Sequence, residues 1–65
     1  MEKDFKKYGN VKVFEVSEQS SKLVIEGFTN TIQNSCDCLG KFQELSNHKK
    51  VKILNLGETL TIELC

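Results

Sequence analysis

The stretch Thr29–Asn47, TNTIQNSCDCLGKFQELSN, decides the fold because its apolar and polar residues separate onto opposite sides of an α-helix. At about 100° per residue, one half of the helical wheel collects the apolar and small side chains and the other half the charged and amide side chains. We therefore predict one amphipathic helix that runs to about Ser46, with Asn30 as its N-cap residue. The apolar half of the wheel holds Leu45, Cys38, Phe42, Ser35, Ser46, Leu39, Ile32 and Cys36.

Strand-like alternation flanks this helix on both sides. Val11–Val16 and Lys22–Phe28 predict two strands before the helix, and Val51–Leu56 and Thr59–Leu64 predict two after it. The order ββαββ predicts an α+β fold, β-grasp-like, with a small antiparallel or mixed sheet and the helix lying across it. All 65 residues are predicted to form a single domain, in which residues 1–9 are either a solvated arm or a short helical turn.

Both faces of the predicted sheet carry apolar residues. In the first strand the apolar phase changes between Val13 and Phe14, so we expect either a bulge or apolar side chains on both faces. One helix covers only one face, so we predict a homodimer or an obligate partner that covers the other. One face would hold Val11, Val13, Leu23, Ile25, Val51 and Ile53, and the other Phe14, Val16, Val24, Phe28, Leu54 and Leu56.

The composition limits the classes of function. The sequence has nine basic residues, all of them lysine, nine acidic residues and a formal net charge of zero. A DNA mimic is strongly acidic and a phosphate-backbone binder is basic, so this balance disfavours both. No apolar run approaches the roughly 18–20 residues of a membrane span, and residues 1–4 lead into no apolar signal segment. We therefore expect a cytoplasmic protein that does not associate with membranes.

Three cysteines and the one histidine are the residues that could hold a metal. Cys36, Cys38, Cys65 and His48 would make a chemically valid zinc shell. Residues two apart on a helix point roughly 160° apart, so Cys36 and Cys38 are poorly placed to bind one ion together. We predict no metal and no cofactor, and keep a zinc-stapled module as the least favoured hypothesis. The spacing leaves open whether these thiols bind metal or form disulfides.

No pattern in the sequence carries catalytic chemistry. The acidic residues are scattered singly, and the four glycines stand apart instead of forming a phosphate-binding loop. His48 lies near the predicted helix end, where a capping role is more common than a role as a base. A fold this small also offers few concave pockets. We therefore expect a protein that is not an enzyme.

Lys49, Lys50 and Lys52 form the densest positive patch of the sequence. One interpretation is a dimeric nucleic-acid-binding regulator that contacts phosphates through this patch. The other is a solvated helix end followed by an edge strand that lysines protect from unwanted pairing. No aromatic residue interleaves with these lysines, so a base-stacking platform is not indicated. Nucleic-acid binding is therefore an alternative that we do not favour.

The sequence also resembles a family of small phage proteins. Phe14–Ser20, FEVSEQS, is followed by a strand, by a helix that holds Phe42 and Leu45, and by KVKI over Lys50–Ile53. In these features the chain resembles YonK-like small prophage proteins over roughly residues 11–54, and it departs from them in the added hairpin arm at Gly57–Leu64. The resemblance implies an oligomeric protein of a phage or other mobile element, and it transfers no functional residues.

These observations lead to one favoured hypothesis about function. The chain would be a small, non-enzymatic interaction module of a phage or mobile element that binds and inhibits a host protein in the host cytosol. Its most concrete form is an anti-defence, anti-CRISPR-like inhibitor that sterically occludes its partner. The predicted contact surface has an apolar centre and a lysine rim, formed by Phe14, Val24, Phe28, Leu54, Lys49 and Lys50.

Overall fold

The structure, a computed structural model, describes residues 2–17, 19–47 and 49–65. Within these residues it contains a short 3-10 helix, an α-helix and four strands. The predicted ββαββ order and the α+β class are confirmed. The 3-10 helix spans Glu2–Tyr8, β1 spans Asn10–Val16, β2 spans Ser21–Glu26, α1 spans Ile32–Leu45, β3 spans Val51–Asn55 and β4 spans Thr59–Leu64.

The four strands form one sheet in the order β1-β2-β4-β3. β1 pairs with β2 and β3 pairs with β4, and the two hairpins join where β2 pairs with β4. All three pairings are antiparallel, so the antiparallel alternative of the prediction is the one observed. β2 and β4 are therefore the central strands, and β1 and β3 are the edges.

One face of the sheet, here called the inner face, packs against α1 and the 3-10 helix. Alternate residues of the two central strands are completely buried on this face, as the period-two pattern of the sequence predicts. Pairing places Leu23 beside Ile62 and Ile25 beside Leu60, so the apolar side chains form one continuous layer. The side chains of Cys38 and Phe42 from α1 belong to the same core cluster and are also completely buried.

A β-bulge in β1 decides which of its side chains reach the inner face. Val11 pairs with Ile25 and Val13 pairs with Val24, so Lys12 is an extra residue between them. Such a bulge shifts the alternation of the strand by one residue. The expectation of an irregular first strand is confirmed, but the bulge lies before Val13 instead of after it.

This shift turns Phe14 to the inner face, where it is partly buried against the core. Its ring centroid lies 5.9 Å from that of Phe5 and 6.3 Å from that of Phe42. Phe28 is also buried, in the loop beyond the end of β2, where strand alternation no longer sets the direction of a side chain. The prediction that Phe14 and Phe28 share one sheet face with Val24 and form an exposed apolar patch was therefore wrong.

The residues before β1 belong to the core and do not form a solvated arm. Phe5 is completely buried and Tyr8 is 4% exposed. Their spacing of three residues puts both aromatic side chains on one side of a 3-10 helix. The backbone N–H of Thr29 donates to the carbonyl oxygen of Tyr8 at 3.0 Å, which joins this segment to the loop before α1. Of the two predicted alternatives the helical turn is confirmed; Met1 lies outside the described residues.

α1 begins one residue later than its predicted cap implies. The Oγ1 of Thr31 accepts a hydrogen bond from the backbone N–H of Asn34 at 3.0 Å, so Thr31 is the N-cap and the prediction of Asn30 was wrong. The wheel predicts the buried side of the helix correctly at its centre. It fails for Ile32, which is 85% exposed in the first turn, and for Cys36, which lies exposed at the margin of the apolar arc.

Candidate functional site

The sheet face opposite α1, here called the outer face, carries the side chains that alternate with the buried ones. Because β2 and β4 pair in register, their outward side chains form rows that run across the strands. β2 contributes Lys22, Val24 and Glu26, and β4 contributes Glu63, Thr61 and Thr59 directly beside them.

The middle row, which we call the apolar row, crosses all four strands. Val13 of β1 pairs with Val24 of β2, which in turn pairs with Thr61 of β4. On β3, Asn55 is the register partner of Thr61, and Leu54 is the extra residue of a second bulge between Ile53 and Asn55. Because Leu54 follows the inward-facing Ile53, its side chain turns to the outer face beside Asn55. Val13 is 37% exposed and Leu54 is 51% exposed. The apolar row is therefore accessible at both edges of the sheet.

The neighbouring row, which we call the charge row, alternates in sign from strand to strand. Glu15 pairs with Lys22, Lys22 with Glu63, and Glu63 with Lys52, so the row also crosses all four strands. The Nζ of Lys22 lies 3.8 Å from an Oε2 oxygen of Glu63. Opposite charges on adjacent strands stabilise the sheet by a few tenths of a kcal/mol per pair, about the size expected for exposed groups.

A second ion pair borders the apolar row on its other side. The Nζ of Lys12, the bulge residue of β1, lies 3.8 Å from an Oε1 oxygen of Glu26 at the end of β2. The apolar row is thus bordered by charged side chains across all four strands on one side and across β1 and β2 on the other. An accessible apolar centre with a polar rim is the arrangement found in protein–protein interfaces.

The outer face brings together only part of the predicted contact surface. Val24 and Leu54 lie in the apolar row, whereas Phe28 is buried in the core and Phe14 is partly buried against it. Val13, which the sequence analysis assigns to the face opposite that of Phe14 and Phe28, lies on the outer face instead. The hydrophobic pattern alone does not locate the bulge, and only the pairing of β1 with β2 reveals Val13 as part of the site.

The predicted lysine rim lies at one end of the outer face. Lys49 and Lys50 are exposed in the segment before β3, and the carbonyl oxygen of Lys50 accepts a hydrogen bond from the backbone N–H of Cys65 at 3.1 Å. Lys52 lies in the charge row beside Glu63. A carboxylate therefore adjoins the lysine patch and partly offsets its positive potential.

A polar cluster that the sequence analysis did not identify joins the 3-10 helix to α1. The Nζ of Lys41 donates a hydrogen bond to the Oη of Tyr8 at 3.2 Å. The Nζ atoms of Lys7 and Lys41 lie 5.2 Å and 5.3 Å from the centroid of the Tyr8 ring, within the range of a cation–π contact. The hydrogen bond to Tyr8 is the main cause of the raised pKa of Lys41. We interpret this cluster as a structural link.

The three cysteines differ in their surroundings. Burial in the core raises the pKa of the Cys38 thiol to about 11, so this side chain stays protonated at neutral pH and acts as a small apolar residue. Cys36 and Cys65 are free and exposed. Among the residues that the structure describes, no three His, Cys, Asp or Glu side chains are grouped to hold a metal ion. His48, the fourth residue of the zinc hypothesis, lies outside them.

Comparison with known proteins yields no match. No protein-family model matches the chain, no curated protein matches it, and no solved structure matches it. In the described part of the chain, none of the helices has the length and apolar character needed to cross a membrane.

Proposed function

We propose that this chain is a small protein-interaction module whose working surface is the outer face. The observation that supports the proposal is the apolar row, in which Val13 and Leu54 stay exposed beside the charge row, with the Lys12–Glu26 ion pair on the other side of Val13. Covering these side chains with another protein removes apolar surface from water, which is favourable by roughly 25 cal/mol per Å². The flanking charges then supply orientation and selectivity at the rim.

The fold holds the backbone of the outer face in a fixed position. The central strands β2 and β4 are each paired on both sides, and their inward side chains are completely buried. A surface that is already ordered loses little conformational entropy when it binds. The proposed mechanism is occlusion of a partner by this surface, and it assigns no catalytic residue, metal or cofactor.

In its more specific form, the proposal makes the partner a host protein that the chain inhibits. An anti-defence or anti-CRISPR-like inhibitor acting in the host cytoplasm fits this form. Its support is the resemblance of residues 11–54 to YonK-like prophage proteins, which implies a phage or mobile element. The interaction surface and the inhibitory role are separable, and the outer face supports the first of them.

Nucleic-acid binding through Lys49, Lys50 and Lys52 is the alternative function. The position of Glu63 beside Lys52 does not favour it, because a carboxylate at this point repels the phosphate backbone. Titration of the chain with duplex DNA and with RNA at low salt tests the alternative. Affinity that falls steeply as salt rises, and that is lost in a Lys49→Ala, Lys50→Ala variant, would replace our proposal with this one.

Photo-crosslinking in expressing cells tests the proposed function. A photoreactive amino acid at Val13 samples the outer face, and the same residue at Glu44 samples an exposed position of α1. We expect discrete protein adducts from position 13 and none of these adducts from position 44. The partner in an adduct is identified by mass spectrometry, and either a second copy or another protein supports the proposal. An absence of adducts at position 13, or the same adducts at both positions, contradicts it.

A further inference from the structure

We propose that the occupant of the outer face is a second copy of this chain, bound face to face about a two-fold axis parallel to the strands. This inference rests on the proposed function, because it names the partner of the same surface. It is carried by two observations together, the order of the strands and the alternating signs of the charge row.

The geometry follows from the sheet order. A two-fold axis that lies between two stacked sheets and runs parallel to their strands reverses the strand order and keeps each row over itself. Because the order is β1-β2-β4-β3, β1 of one copy then lies over β3 of the other, and β2 lies over β4. The contact is isologous, so each pair of side chains occurs twice.

The charge row is complementary to itself under this rotation. Read across the strands, its signs are minus, plus, minus and plus, and the reversed row therefore presents the opposite sign at every strand. Glu15 of one copy faces Lys52 of the second copy, and Lys22 faces Glu63. Rotation about the perpendicular in-plane axis would also bring opposite charges together, with Lys22 over Glu26 and Glu15 over Lys12. It would, however, place Glu63 over Thr59, where Glu63 finds no opposite charge. The parallel axis is therefore the one that pairs the whole row.

The apolar row is matched by the same rotation. The exposed side chain of Val13 in one copy lies over the exposed side chain of Leu54 in the second copy, and Val24 lies over Thr61. Two exposed apolar side chains of the outer face are thus covered by each other. Stacked sheets separated by about 10 Å leave room for side chains of this size.

The extent of the outer face sets the expected strength of the contact. Four strands about 4.8 Å apart and about 17 Å long present roughly 330 Å² of flat area, so two such faces cover roughly 650 Å² in total when they meet. This area lies below that of a standard specific protein–protein interface and in the range of weak, transient contacts. We therefore expect a dimer that dissociates on dilution through the micromolar range, to be measured under reducing conditions because Cys36 and Cys65 are exposed.

Sedimentation equilibrium of the full chain provides the first test. Leu54→Lys places a charge in the apolar row. Ile32→Lys, the control, also replaces an exposed aliphatic side chain with lysine, but on α1. We expect Leu54→Lys to weaken the dimer at least tenfold and Ile32→Lys to leave its dissociation constant unchanged. Circular dichroism of both variants confirms that they fold. A wild-type chain that stays monomeric at about 1 mM, or equal effects of the two substitutions, overturns the proposal.

A charge-exchange experiment tests the axis. Glu15→Lys and Lys52→Glu each place like charges opposite one another in their own dimers, and each is expected to weaken self-association about tenfold. In an equimolar mixture of the two variants, every charge of the row again meets an opposite charge, and we expect wild-type affinity. Each substitution also creates a like-charge neighbour within its own sheet, beside Lys22 in one variant and beside Glu63 in the other. This unfavourable contact is the same in the separate variants and in the mixture, so it does not affect the comparison. A mixture no stronger than the separate variants overturns the proposal.

The outcome also separates this inference from the proposed function. A monomeric chain whose position 13 still forms adducts with another protein overturns the second copy as occupant and leaves the interaction module intact. A monomeric chain without adducts overturns both.

Discussion

The ring of Phe5 meets the ring of Phe42 edge-on, with their centroids 6.3 Å apart and their planes at 73°. Phe14 completes a cluster of three aromatic rings above the inner face. This contact joins the 3-10 helix before β1 to the middle of α1, and both rings are completely buried. The segment Glu2–Tyr8 is therefore part of what holds the helix on the sheet.

Removal of the Phe5 ring should destabilise the whole chain. Phe5→Ala leaves a cavity among the aromatic rings and is expected to lower the free energy of unfolding by about 3–5 kcal/mol. A core of this size supplies only about 3–5 kcal/mol in total, so most of the variant should be unfolded at 25 °C. Urea unfolding followed by circular dichroism measures the change. Lys3→Ala, at an exposed position of the same 3-10 helix, is the control and should unfold like the wild type. Equal stability of the two variants would mean that this segment does not support the core.

The sequence predicts those parts of the fold that depend on regular periodicity. The helical wheel identifies Cys38 and Phe42 as inward residues, and alternation in β4 identifies Leu60 and Ile62. These positions lie in the middle of regular elements, where the period of the backbone alone sets the direction of a side chain. The order and class of the fold follow from them.

The errors fall where the period breaks. The bulge at Lys12 reverses the phase of β1, and so Phe14 turns inward and Val13 outward. Phe28 lies beyond the end of its strand and packs inward through the loop. The register between strands determines which charged residues lie side by side in the charge row, and this register depends on where such bulges lie. Half of the apolar centre of the predicted contact surface was therefore misplaced, although Val24 and Leu54 were predicted together.

The N-cap of α1 can be assigned by substitution. Thr31→Ala removes the Oγ1 that accepts the backbone N–H of Asn34 and should lower the free energy of unfolding by about 1 kcal/mol. Asn30→Ala is the matched control, because the structure gives Thr31 and not Asn30 the capping position. Urea unfolding of both variants measures the difference. A larger loss for Asn30→Ala than for Thr31→Ala would assign the cap to the residue that the sequence predicts.

Two glycines should respond to alanine in opposite directions. A Cβ atom at Gly40 would meet nothing within 4 Å, so Gly40→Ala gains helix propensity and should raise the free energy of unfolding by up to about 1 kcal/mol. A Cβ atom at Gly9 would lie 2.7 Å from the Cγ2 of Ile25 and 2.8 Å from the carbonyl oxygen of Glu26. Gly9→Ala must therefore displace a strand backbone and should be destabilising. Thermal unfolding compares the melting temperatures of the two variants, and a shift in the same direction for both would contradict this packing.

The buried thiol of Cys38 should make the stability of the chain fall in alkaline solution. Burial raises its pKa from 9.0 in the unfolded chain to about 11 in the folded one. Below pH 9 the thiol is protonated in both states and the folded chain is fully stable with respect to this group. Between pH 9 and 11 only the unfolded chain ionises, which lowers the free energy of unfolding by up to about 2 kcal/mol.

Urea unfolding at pH 8 and at pH 10.5 measures this loss in the wild type and in Cys38→Val. The valine variant keeps an apolar side chain at the site but has no titrating group there, and every other side chain is the same in both proteins. The loss of stability between the two pH values should therefore be larger in the wild type by about 1–2 kcal/mol. Equal losses in the two proteins would mean that the Cys38 thiol reaches solvent in the folded chain. Alkylation at pH 8 gives an independent reading, because Cys36 and Cys65 should react promptly and Cys38 only after unfolding.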